Sequence, residues 1–315
     1  MSDATGTLLD ESQLDAVLAK IADAFSVSSR SPVLGSPADH GLRYDDVTFP
    51  AEDGTPIEGW FVPAEGAATT VVVNHPRWFS RSGLPADLEP WRSAFVETGN
   101  DFRVDLVPDI RILHDAGYHV LAYDLRNFGL SGAANGGVTS SGNLESRDVV
   151  GSLHYLRSRP DTAGTGIALF SRCLGADSTL FAMQRAPEVF ADVRCLIACQ
   201  PLSPEMVLRR MFRRRGLDLA QLPRLDQLIQ LRTSFTLQDM SPVRAARAVG
   251  VPTLIYQVRD DVMTEPTDVQ AMYDAIPAAV PKSLFWIDGT TRRWDGYLHF
   301  QRSPERVLGW LARYC

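Results

Sequence analysis

Three observations predict an α/β protein with a doubly wound, mostly parallel sheet and a helical lid insertion. From residue 42 onward, short apolar runs alternate with segments of helical period, the pattern of strands joined by crossover helices. Runs such as Thr-Thr-Val-Val-Val-Asn at 69–74 are continuous rather than alternating, as in strands buried on both faces of a parallel sheet. The roughly fifty residues between Gln200 and Val251 contain no strand, where such connections are usually short. An insertion there follows a strand and so sits over the C-terminal edge of the sheet, and residues of about 201–250 are read as the lid.

Composition bounds the function. The 315 residues are 45% hydrophobic and 22% charged, ordinary for a globular chain and long enough for one large α/β domain. A net charge of −7 argues against nucleic acid, whose phosphates call for a positive surface. No apolar run approaches the roughly 18 residues of a membrane span. The first residues, Met-Ser-Asp-Ala-Thr-Gly-Thr, have neither the basic nor the apolar region of a secretory leader. Cys173, Cys195, Cys199 and Cys315 form no C-x-x-C pair and lack the histidine spacing of a zinc site. The expectation is a cytoplasmic protein with reduced thiols, acting on a small molecule without metal or organic cofactor, with neither nucleic acid nor membrane as partner.

Taken in order, residues 12–25 place Leu14, Val17, Leu18, Ile21 and Phe25 on one helical face. With the Ser- and Pro-containing linker to residue 41 they form an N-terminal arm. That helix docks either on its own core or on a second subunit, which would make the protein a homo-oligomer. The main domain is expected over 42–315. Residues 44–49 and 57–62 read as strands joined at the Asp53-Gly54 turn, followed by the strand 69–74. A helix over 107–116 stops at Gly117, and a strand at 118–123 runs into Asp124-Leu125-Arg126-Asn127-Phe128-Gly129-Leu130-Ser131. Then come a helix at 145–157 and strands at 167–170, 195–199, 253–258 and 284–287. Helical period also marks 206–215, 222–231 and 242–248 in the lid, 269–275, and a terminal helix at 304–314.

The chemistry centres on Ser171-Arg172-Cys173-Leu174-Gly175, between a strand ending at Phe170 and a helix through Leu180, Phe181 and Met183. Strand, tight turn and helix are the context that gives a G-x-S-x-G nucleophile elbow its meaning; here Ser171 replaces the first glycine and Cys173 the serine. Small residues on either side let strand and helix pass closely, and the helix N-terminus favours a thiolate. The competing reading is a buried structural cysteine.

These pieces, with Asn74-His75-Pro76, the Asp124 to Ser131 segment and Asp260 after the strand 253–258, resemble the α/β-hydrolase superfamily in the family's order. Within it, the cysteine points to the dienelactone-hydrolase-like branch. The resemblance covers residues from about 44 to the end and implies a triad in the order nucleophile, acid, histidine. Cys173 takes the first place. Asp260 matches the acid best, with Asp261 one residue off. His299 is the only histidine after the acid, later than usual; the usual window holds Thr291 and Arg292. It could equally be a packed core residue. The resemblance also implies an oxyanion hole from the backbone N–H groups of Leu174 and Arg77, since Pro76 has none to give. His75 and Trp78 fall beside that hole. Arg172 flanks the nucleophile and would suit a substrate carboxylate.

The reading that follows is a cysteine-dependent hydrolase of an ester, lactone or thioester, of an anionic small molecule if Arg172 binds one. Cys173 would attack the carbonyl, and His299 would protonate the leaving group. The alternatives are acyl transfer, cyclisation or carbon–carbon cleavage on the same fold, or a non-catalytic ligand-binding homologue. For the lid arginines Arg213, Arg214 and Arg215 a solvated helix face is favoured over a substrate site.

Overall fold

The computed structural model describes residues 10–315; the first nine, on which the reading of the leader rests, lie outside the described residues. Helix α1 (Glu11–Ser26) is followed by strands β1 (Asp45–Pro50), β2 (Pro56–Val62) and β3 (Thr69–Asn74). A small excursion holds β4 (Gly83–Leu84), α2 (Trp91–Phe95) and β5 (Val104–Asp105), then α3 (Val107–Asp115) and β6 (His119–Tyr123). The second half runs α4 (Ser146–Ser158), β7 (Gly166–Arg172), α5 (Leu174–Arg185) and β8 (Val193–Cys199). Lid helices α6 (Pro204–Arg215) and α7 (Leu222–Thr233) come next. The chain ends with β9 (Thr253–Val258), α8 (Pro266–Ala275), β10 (Lys282–Ile287), α9 (Arg293–Tyr297), α10 (His299–Arg302) and α11 (Glu305–Tyr314).

Eight strands form the main sheet in the order β1-β2-β6-β3-β7-β8-β9-β10. β1, β2 and β6 pair antiparallel, and every pairing from β6 to β10 is parallel. β3 and β9 span the residues their apolar runs predict, and both are buried at every position. Two cores cover the two faces. One packs α4, α5 and α8 through residues such as Leu153, Leu180 and Met272, and the other packs α3 and α11 through Leu113, Val307 and Leu311. The order also fixes where a crevice opens. β6 lies on one side of β3 and β7 on the other, so the chain reverses direction between β3 and β7; ligands of open α/β sheets bind at the carboxyl ends of strands at such a point.

The lid carries a third, smaller core. Leu208, Phe212, Leu222, Leu225 and Ile229 of α6 and α7 pack against Leu18, Ile21 and Ala22 of α1. Ion pairs Arg232–Asp23 (2.5 Å) and Arg224–Asp15 fasten α7 to α1. The N-terminal arm is therefore half of the lid rather than a separate tether: the apolar face that could have met a second subunit is spent inside the chain. The linker is stitched down too, with Arg30 donating to the Phe128 and Gly129 carbonyls. No helix among the described residues is long and apolar enough to cross a membrane.

Arg213, Arg214 and Arg215 form the exposed face expected of them, and Arg213 and Arg214, with Arg210, also reach the loop after β9. Arg210 donates to the Asp261 carbonyl (3.0 Å), Arg214 to the Val262 carbonyl (2.8 Å), and Arg213 pairs with Glu265. One helix face thus clamps the loop after β9.

Candidate active site

Cys173 stands between β7 and α5 at φ 48°, ψ −116°, in the left-handed half of the map, where a non-glycine residue costs about 1–3 kcal/mol. The surroundings that impose this conformation are visible. Cys173 N–H donates to the Cys199 carbonyl of β8 (2.9 Å), and Gly175 N–H donates to the His75 carbonyl (3.2 Å). A Cβ on Gly175 would lie 2.6 Å from the Asn74 Cβ and 2.8 Å from its carbonyl oxygen, so this helix start passes β3 at a distance only glycine allows. Ser171 is accommodated because its hydroxyl has work: it accepts from Asn74 Nδ2 (2.8 Å) and bonds the Thr179 hydroxyl (2.9 Å).

A cavity of about 40 Å³, open on one side, lies above the elbow. Its walls are largely apolar, with Trp78, Phe79, Met263 and Trp294 around it and Phe25 of α1 and Val207 of α6 above. Arg77, Asp177, Arg293 and Tyr297 bring polar groups to the same space as Cys173. Neither Leu174 N–H nor Arg77 N–H has a protein acceptor among the described residues. Leu174 opens α5, so its free N–H adds to the positive end of that helix.

Of the two adjacent aspartates after β9, it is Asp261 that turns inward. Asp260, the better match by position, is exposed, whereas Asp261 is buried. The Asp261 carboxylate accepts from Gln257 Nε2 (3.0 Å), Met263 N–H (2.8 Å) and an Arg293 terminal nitrogen (2.6 Å). The chain turns directly after β9, and that turn swings the second aspartate inward.

The partner of that acid is an arginine. Arg293 opens α9, is 1% exposed, and uses all three of its nitrogens: one on Asp261, Nε on the Tyr297 hydroxyl (2.8 Å), and the third on the Gln200 carbonyl. Gln200 holds the other end, donating through Nε2 to the Arg293 carbonyl (2.6 Å). Burial works against the Arg293 charge, but Tyr297, Asp261 and Cys173 around it outweigh that and keep its pKa well above the usual arginine value. On the other side of the cavity Arg77 lies over the rings of Phe25 (4.8 Å) and Trp78 (5.0 Å) and donates to the Phe25 carbonyl. Burial lowers its pKa to about 10, opposed by the nearby charges of Glu145 and Cys173, so it remains a cation at neutral pH. Cys173 therefore faces two guanidinium groups.

His299 is not brought to Cys173. It sits in α10 beside the stacked rings of Tyr256 (6.0 Å) and Phe285 (5.6 Å), outside the cavity lining. Burial first, then Arg306 and Arg302, lower its pKa, so it is a neutral packed ring. The reason is register: α9 begins six residues after β10 ends and delivers Arg293 to the site, and one further turn carries His299 past it. Arg172 is likewise elsewhere. Its side chain is fully buried outside the cavity lining, pairs with Asp109 of α3, and lies over the Phe170 ring (3.8 Å). His75 is structural: its Nδ1–H donates to the Pro76 carbonyl (2.7 Å) while Nε2 accepts Leu125 N–H (2.9 Å), and burial keeps it neutral. Of the residues expected from the sequence, Cys173, Leu174, Arg77 and Trp78 line the cavity; Asp260, His299, Arg172 and His75 do not.

Three residues at the site escaped the sequence reading: Asp177, Arg293 and Tyr297. Two of them carried a signal. Asp177 lies one helical turn after Cys173, and Tyr297 one turn after Arg293, and residues four apart share a helix face.

Sheet order, strained elbow and lid together define a protein of the α/β-hydrolase fold with a cysteine at its strand-to-helix elbow. No protein-family model matches the chain, and no curated protein matches it. Solved structures do. The chain superposes on an esterase of Pyrococcus furiosus with a TM-score of 0.66 at 20% identity, covering 92% of this chain and 99% of that one. A dienelactone hydrolase of Anabaena variabilis gives 0.53 at 16%, covering 87% and 98%. An esterase of Exiguobacterium antarcticum gives 0.52 at 15%, covering 86% and 99%. At such identities the likeness is one of fold.

Proposed function

We propose that the protein cleaves a carboxylic ester, lactone or thioester through an acyl-enzyme on Cys173. The observation that carries this reading is the elbow itself: a sulfur held at strained backbone angles, at the start of a helix, facing a cavity with two guanidinium groups and two unpaired N–H groups beside it. A backbone strain of that size persists where the surroundings over-determine it, and such residues concentrate at active sites. The names of the solved neighbours, two esterases and a dienelactone hydrolase, support the same reaction class.

In this reading the Cys173 sulfur attacks the acyl carbon, and the oxygen that gains charge settles on the Leu174 and Arg77 N–H groups. One preorganised donor of this kind is worth about 3 kcal/mol of barrier. Arg77 and Arg293 stabilise the thiolate before attack and again when sulfur leaves. Asp261 and Tyr297 position Arg293, the part the acid plays towards histidine in a serine or cysteine triad. The favoured acyl group is apolar. Arg172, the residue suited to a substrate carboxylate, is paired with Asp109 outside the cavity, while Arg293 is engaged by Asp261. Trp78, Phe79 and Trp294 offer flat apolar walls instead.

The test is a panel of short-chain nitrophenyl esters and acyl thioesters with wild-type protein and Cys173→Ala, read by product release and by intact mass of quenched protein. The reading expects turnover and an acylated Cys173 in the wild type, both absent in the variant. Turnover that survives Cys173→Ala rules out the acyl-enzyme on this sulfur.

A further inference from the structure

A site without imidazole still needs a group to move protons. A thiolate can attack unaided, but an alkoxide leaves poorly unless protonated, and the water that clears a thioester must lose a proton. Arg293 and Arg77 stay charged at neutral pH and have none to exchange. Tyr297 is held by Arg293, and burial pushes its hydroxyl well above the usual range.

Asp177 is differently placed. It lies one turn along α5 from Cys173, and its N–H closes that turn on the Cys173 carbonyl (2.8 Å). It is 1% exposed and lines the same cavity. Its Oδ1 accepts Leu202 N–H (3.1 Å); no protein donor reaches Oδ2 among the described residues. No ion pair involves it among the described residues, and the Arg293 guanidinium of the same cavity is taken by Asp261. Burial, and then the neighbouring charges of Cys173 and Asp268, raise its carboxyl pKa well above the usual range, so it carries a proton where ordinary aspartates have none.

We infer that Asp177 is the proton donor to the leaving group and the proton acceptor for the hydrolytic water, in the place a histidine holds in related folds. The inference rests on the ester reading above. In acylation the Cys173 sulfur bonds the acyl carbon, the carbon–oxygen bond to the leaving alcohol breaks, and that oxygen takes the Asp177 proton. In deacylation the resulting Asp177 carboxylate takes a proton from water, the hydroxide oxygen bonds the acyl carbon, and the carbon–sulfur bond breaks. Sulfur leaves as the thiolate and Asp177 is protonated again, so each turnover consumes one water and returns both groups to their starting state. The apolar walls keep the charged form of Asp177 short-lived, which favours giving the proton back.

Asp177→Asn separates this role from anchoring of Leu202, because asparagine keeps the oxygen that accepts Leu202 N–H. With nitrophenyl butyrate, whose leaving group departs without a proton, the variant should still release a stoichiometric burst and then accumulate butyryl-enzyme, its steady turnover down about a hundredfold. Ethyl butyrate, whose leaving group needs the proton, should not be cleaved. In Asp177→Ala, added formate should restore part of the turnover, a readout that a structural role would not move. Steady turnover of Asp177→Asn within threefold of wild type, or the absence of formate rescue, overturns the inference. A wild-type protein with no Cys173-dependent release of nitrophenol instead overturns the ester reading on which it stands.

Discussion

The two adjacent aspartates after β9 give the sharpest test of the site, because they differ by one residue in sequence and by almost everything else in environment. Asp261 is paired with Arg293 at 2.6 Å, the side chains 1% and 2% exposed. Asp261→Asn keeps an oxygen for Met263 N–H but turns an amide towards donors on Gln257 and Arg293, and it leaves the Arg293 charge buried without a counter-ion. Breaking a buried pair from one side costs about 3–5 kcal/mol. In a domain of this size 1 kcal/mol moves the melting temperature by about 2 °C, so the expected fall is about 6–10 °C. Asp260→Asn touches an exposed side chain with no hydrogen-bond partner among the described residues, and should stay within about 0.5 kcal/mol of wild type. Replacing the pair together, Asp261→Leu with Arg293→Met, should cost less than the sum of the two single changes. Urea unfolding of the wild type, the two asparagine variants, the singles Asp261→Leu and Arg293→Met and their double, alongside nitrophenyl ester turnover, makes the comparison. Turnover should fall in Asp261→Asn, as Arg293 loses its anchor, and hold in Asp260→Asn. A destabilisation below 1 kcal/mol for Asp261→Asn, or equal losses for the two aspartates, would refute the network.

Three further outcomes are expected. His299→Ala should leave ester turnover and the alkylation rate of Cys173 within twofold of wild type, because its ring packs against Tyr256 and Phe285 outside the cavity; a tenfold loss would return His299 to the mechanism. Gly175→Ala should cost about 2–4 kcal/mol in denaturant unfolding and abolish turnover, since the added Cβ meets the Asn74 backbone, which cannot turn aside. The third concerns pH. Asp177 binds its proton more tightly folded than unfolded, where a carboxyl of about 3.9 is expected. Burial, Cys173 and Asp268 raise it, against the Leu202 N–H and Arg293. The folded chain therefore holds more protons between the two values, and this contribution is full below about pH 4 and lost as pH rises through the folded value, at roughly 1.4 kcal/mol per unit. The stability of the wild type relative to Asp177→Asn should therefore fall as pH rises between the two values and be flat on either side of them; parallel profiles throughout would remove the protonated Asp177.

The contrast between what the sequence disclosed and what it hid follows the range of the forces involved. Strands β3 and β9 were legible to the residue because a strand buried on both faces needs an unbroken apolar run, and turn-forming residues bound it. The elbow was legible because close passage of β3 and α5 demands a small residue at a fixed offset, which Gly175 meets. The amphipathy of α1 was equally plain, but a helix face states only that it needs a cover, and Leu208 and Phe212, nearly two hundred residues away, supply it. The site's charges were harder for the same reason. Within a strand the inward face repeats every second residue, yet the chain turns at Asp260, and from there the direction of a side chain is set by its partners: Gln257 from the strand, Met263 from the loop and Arg293 from α9 draw Asp261 inward. Order along the chain suggested a histidine as the last member, and order is satisfied by any residue that the loop after β10 delivers. Here a five-residue helix delivers Arg293, pinned on three sides, and a buried cation so placed suits the standing charge of a thiolate better than it suits the passage of protons. The inferred division of labour gives proton transfer to a different side chain, the buried carboxyl of Asp177, which lines the cavity one turn of helix from Cys173.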